Sequence, residues 1–141
     1  MITIYIQNAI NDITKLIDLT IKDIEDIKLS LHEKIEKRVD EKDHLIVSFE
    51  TNKSLLNDSL IKLTTNSDEP LENIMSDNDT DLLNKLKENL TILKEKNKIY
   101  AKFVVKINEF YTSLFDEMFK LDRSGYEISR PKPASILRVS A

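Results

Sequence analysis

The sequence predicts an all-α protein: an antiparallel bundle or hairpin of three long helices with coiled-coil-like packing and a flexible C-terminal tail. Two observations carry that expectation. Among 141 residues there are one glycine and three prolines, two of them in the last eleven residues, at Pro131 and Pro133. So few turn-formers are hard to reconcile with a sheet of hairpins. Apolar residues also recur in alternating steps of three and four along two long stretches, the register of a helix that lies along another helix. Charged residues make up 33% of the chain, as in exposed helices laced with both signs. One bundle domain over residues 1–122 and a basic tail over 123–141 follow from these patterns.

The first helix is read from Ile6, Ile10, Ile13, Ile17, Thr20, Ile24, Ile27 and Leu31. Isoleucine dominates it, although β-branching makes isoleucine a mediocre helix former, so packing against a partner has to stabilise it. Leu16, Ile21, Leu29 and Ile35 thicken the stripe. Opposite it, Lys22 with Asp26 and Glu33 with Lys37 stand at helical spacing, worth about 0.2–0.5 kcal/mol a pair. Between Glu36 and His44 only Val39 is apolar and the seam lapses. Asp40 followed by Asp43 offers an N-cap with an acidic third residue, which places a helix boundary near there. A single helix continuing to about Leu63 is the rival reading; the hairpin is preferred because so long a seam would need a partner of equal length.

A second helix, about Asp43 to Leu63, carries Leu45, Phe49, Leu56, Leu60 and Leu63, with Leu55 and Ile61 beside them. Thr64 to Ser76 has loop composition, and Pro70 ends any helix arriving from the left. Ser76, Asp77, Asp79 or Thr80 can cap the next helix, whose positive end suits the acids there. The third helix is the longest. From Leu83 its seam runs Leu83, Leu86, Leu90, Leu93, Asn97, Tyr100, Val104, Ile107, Tyr111, Leu114, Met118 and Leu121. Asn97 is the polar exception, of the kind that sets register at a cost in stability. From Tyr100 onward Phe103, Phe110, Phe115 and Phe119 widen the stripe. A two-helix seam needs only a narrow stripe, so this half has to cover two helices, or one helix and a partner. Ser124-Gly125 reads as the stop.

Composition excludes several functions. No cysteine is present, which removes disulfides and thiolate metal sites. No apolar run approaches a membrane span and no signal-like segment opens the chain, so a cytoplasmic protein without membrane insertion is expected. The net charge of −4 argues against nucleic acid as a partner. Thr64 to Asp81 holds six acids and no base, while Arg123, Arg130, Lys132 and Arg138 face only Glu127 in the tail. The plain reading of both is solvation. His32 and His44, expected on different helices, lack the neighbours of a metal site. One glycine cannot build a phosphate loop, and Asp77 and Asp79 lack the glycine and closing glutamate of a calcium loop. No enzyme and no cofactor is expected.

Lys53, Leu55, Leu56 and Leu60 form a Lys-x-Leu-Leu-x-x-x-Leu arrangement, and Leu93-Lys-Glu-Lys-Asn97 sets an asparagine in the third seam ahead of an apolar Phe103–Phe119 half. Gly125, Tyr126 and a basic, proline-containing tail follow. In this the chain resembles the FlgN-like flagellar type III export chaperones. It departs from them at Val39-Asp40, where the family often has glycine, and at Glu127, Ile128 and Ser129, where small residues are usual. The resemblance implies a cytoplasmic chaperone for hook–filament junction (hook-associated) proteins. Such chaperones bind a terminal amphipathic segment of the cargo as a helix in a groove, prevent its premature assembly and deliver it to the export gate or ATPase complex. It implies a cargo face at Phe103, Ile107, Phe110, Leu114, Phe115, Met118 and Phe119, and export-gate docking through Tyr126. A weak homodimer is compatible with that role. The alternative is a structural coiled-coil protein or oligomeric adaptor whose wide face is buried between subunits.

Overall fold

A computed structural model describes residues 2–121, apart from the side chains of Glu72 and residues 119–121. Three long helices and one short turn of helix make up the fold: α1 (Ile2–Lys28), α2 (His32–Thr65), α3 (Leu71–Ile74) and α4 (Asp77–Leu121). They pack as an all-α bundle, as the two seams predict. Thr3 Oγ1 donates to Asp79 Oδ1 at one end (2.6 Å), and Ile24 and Ile27 of α1 share a core with Tyr100 and Val104 further along. So α4 runs parallel to α1, and α2 runs antiparallel to both.

The first turn lies at Leu29–Leu31, not near Asp40, and the hairpin reading holds with an earlier boundary. Leu31 N donates to Asp26 O (2.8 Å) and Ser30 N to Ile27 O (3.1 Å), with Ser30 at φ 58°. This is a Schellman C-cap in which serine takes the left-handed position that glycine usually fills. The missing glycine is why the turn leaves so little trace in the sequence. α2 is correspondingly longer than expected, 34 residues from His32, and both histidines lie on it.

The apolar lapse that suggested a boundary at residues 36–44 has another cause. Arg38 and Lys42 turn inward there, because acids of α1 receive them: Arg38 Nη1 reaches Asp23 Oδ1 (2.9 Å), Lys42 Nζ reaches Asp23 Oδ2 (2.9 Å), and Arg38 Nη2 bonds Asp26. Asp26 is therefore committed to α2 across the hairpin, not to Lys22 as helical spacing suggested. The helix passes through this ionic layer without a break.

A second correction concerns which helix is central. The widening of the third seam left two readings for α4, a helix that covers two neighbours or one neighbour and a partner. In the structure it is α1 that covers two neighbours: its backbone packs closely along both α2 and α4, while α2 and α4 meet through side chains such as His32 and Tyr111. Its isoleucines supply much of the core, with Ile6, Ile13 and Ile27 at 0–1% exposure. One cluster joins Ile6, Ile10, Ile13 and Leu16 to Leu56 of α2 and to Leu86 and Leu93 of α4. Each such side chain, fully buried, contributes about 1.5–3 kcal/mol, enough to hold a mediocre helix former in a helix.

The connection between α2 and α4 contains one helical turn, Leu71–Ile74, after Pro70. Of the four candidate caps for α4, Ser76 is the one that bonds: its Oγ accepts from the backbone N–H of Asp79 (3.1 Å).

Asn97 occupies its seam position with Oδ1 buried and without a hydrogen-bond partner among the described residues. An orphaned buried acceptor costs about 1–3 kcal/mol. Asn97→Leu is expected to raise the melting temperature by several degrees while loosening register or partner choice. A thermal melt that moves downward contradicts this.

Candidate partner-binding face

At about 1.5 Å per residue, the 27 residues of α1 span about 40 Å and the 45 of α4 about 67 Å. Since the two start level, at Thr3 and Asp79, α4 outruns its main partner by about 27 Å. α2 covers part of the excess. It begins at His32, whose Nε2 lies 3.2 Å from the Tyr111 hydroxyl, with ring centroids 6.2 Å apart. α4 then continues ten residues beyond Tyr111 to Leu121, about 15 Å.

The candidate cargo residues divide along this axis. Phe103 and Ile107 pack, partly buried, against the cluster of Ile24, Ile27, Ile35, Tyr100 and Val104. Lys28 Nζ stands 5.2 Å from the Phe103 ring centroid, an added cation–π contact. These two side chains belong to the core margin. Phe110, Leu114 and Met118 are 64%, 44% and 61% exposed. Spacings of three and four place them in line with Phe103 and Ile107, so one apolar stripe starts in the core and runs out onto the surface. The Phe110 ring meets Tyr111 edge-on at 6.0 Å. Phe115 is half-buried. Phe119 lies on α4 with its side chain outside the described residues, as does the whole of Tyr126.

Periodicity gave no sign of the polar interior between α1 and α2. Asp12 is buried and accepts from Ser48 Oγ (2.7 Å) and Asn52 Nδ2 (3.3 Å) of α2. Asp23 and Lys42 are both almost completely enclosed, their side chains 3% exposed. Lys42 Nζ also lies 5.5 Å from the Tyr100 ring centroid. Burial, with the nearby Asp23 charge adding to it, pushes the Tyr100 hydroxyl up to about 12. Burial pulls the Arg38 guanidinium down, but hydrogen bonds to Asp26 and Asp23 and their charges outweigh it and leave it above the ordinary arginine value. The charged groups are committed to one another across the α1–α2 interface, with Tyr100 of α4 against Lys42. They fix the hairpin.

Among the described residues no group of three or more histidines and carboxylates is placed to hold a metal ion, and no helix is long and apolar enough to cross a membrane. What the arrangement offers is a surface: an apolar stripe on a long helix that outreaches its neighbours, based on a hairpin pinned by buried charge. No family model, curated protein or solved structure matches the chain.

Proposed function

We propose that this protein is a small cytoplasmic chaperone of the FlgN-like kind, which holds the terminal amphipathic segment of a secreted flagellar junction protein on the distal part of α4. The observation that carries this reading is the exposed line of Phe110, Leu114 and Met118, continuous with a stripe that is core further back. A cargo helix laid there would extend the bundle's own packing. Helix-in-groove recognition uses such a stripe, and methionine supplies adaptability. Folding the segment on binding costs ordering entropy, which keeps affinity moderate and release easy. Tyr126 is assigned to docking at the export gate on the resemblance alone.

The test is the pair Phe110→Ala with Leu114→Ala. Both side chains are exposed, so the melting temperature should move little. Affinity for a cargo terminal peptide, measured by calorimetry, should fall about a hundredfold. Unchanged affinity, or a large loss of stability, removes this face from the mechanism.

A further inference from the structure

At the end of the bundle opposite the tip of α4 there is a groove of roughly 580 Å³, open to solvent, where the start of α1, the last turns of α2 and the 66–76 connection meet. Ile2, Tyr5, Leu55, Leu63 and Met75 form its apolar walls. Asp58 and Asp79 stand on its rim with a single base, Lys62. Beyond the rim Asp68, Glu69, Asp77 and Asp81 are exposed, and residues 64–81 contain no base at all. An occupant that matches this end of the molecule is therefore both apolar and basic.

The chain contains such a segment. After Leu121 come Arg123, Arg130, Lys132 and Arg138, interleaved with Tyr126, Ile128, Ile136, Leu137 and Val139, against two acids, Asp122 and Glu127. The part of it that carries Arg130 and Lys132 cannot reach the groove of its own chain. Asp79 is 42 residues before Leu121 on α4, about 63 Å along the helix. Lys132 is eleven residues past Leu121, at most about 40 Å of fully stretched chain, which leaves it more than about 20 Å short.

We propose that the groove takes the basic, apolar segment following α4 of a second copy of this chain, so that copies associate head to tail. The joint is heterologous: each copy offers one groove at one end and one segment at the other, and nothing in it stops at two. Opposite charges across it make it salt-dependent. The proposal goes beyond the cargo reading and uses the other end of the molecule.

Sedimentation of the full chain over a range of concentrations tests it. The average mass should climb with concentration past that of a dimer, and should return to one chain in about 1 M salt, where the Debye length is about 3 Å. Asp58→Lys, an exposed change in the groove, should weaken association about tenfold or more, and so should Arg130→Ser with Lys132→Ser. Mixing the two variants restores one productive joint, so the mixture should reach a dimer and stop there. A single mass at every concentration overturns the proposal. So does association that survives in both variants, or a mixture that stays monomeric. No cargo peptide enters this experiment, so its failure leaves the α4 face untouched, and loss of cargo binding leaves the head-to-tail joint standing.

Discussion

Asp23→Ala is expected to destabilise the protein by about 3–5 kcal/mol, one of the two largest effects of any single change. The reason is what it leaves behind. Asp23 accepts from Arg38 Nη1 and Lys42 Nζ, both at 2.9 Å, and the Lys42 side chain is only 3% exposed. Without Asp23 the ammonium is buried without its carboxylate partner, beside the Tyr100 ring face. Arg38 fares better, because it keeps Asp26 and is itself 18% exposed. The loss therefore falls on Lys42. A double change settles the attribution: Asp23→Leu with Lys42→Met removes both buried charges while keeping the Arg38–Asp26 pair. It should recover most of the lost stability, because a well-packed apolar pair is often as stable as a buried ion pair. Denaturant unfolding of the two variants checks this. If the double change is as damaging as Asp23→Ala, the cost comes from packing and not from an orphaned charge.

The same cluster explains which parts of the fold were legible in the sequence. The seams were, because burial along a helix writes itself as steps of three and four, and Leu86, Leu93, Tyr100 and Val104 stand where that pattern puts them. The turn was not. Ser30 accepts a left-handed backbone without the glycine that would have announced it, and Arg38 and Lys42 disguise a buried stretch as a polar one. A trace of the pairing was present all the same. Asp12 and Asp23 on α1 lie at distances from Leu31 similar to those of Ser48, Asn52, Arg38 and Lys42 on α2, as a hairpin turning there requires. Periodicity cannot reveal this, because it scores such residues as solvent-facing. The candidate face was legible as a stripe, from Phe103 to Met118. Its division into a buried and an exposed half depended on where α1 ends and where α2 begins, and both follow from the misplaced turn.

The order of importance of the helices gives the other large effect. Ile13→Ala should cost about 2–5 kcal/mol, or a drop of about 10 °C in melting temperature, while Phe110→Ala stays within about 0.5 kcal/mol. By composition the prior runs the other way, since phenylalanine buries more surface than isoleucine and α4 is the longer helix. Position reverses it. Ile13 is 1% exposed at the centre of the cluster that joins α1 to Leu56 on one side and to Leu86 and Leu93 on the other. Removing three methyl-sized groups there leaves a cavity between all three long helices, which the stiff, charge-pinned α1–α2 hairpin cannot close by shifting. Phe110 is 64% exposed, and its described ring contact is the edge of Tyr111. Equal losses for the two variants, measured in the same melt, would mean that α4 and not α1 is the helix on which the bundle is built, and that its distal stripe is core instead of a surface held ready for a partner.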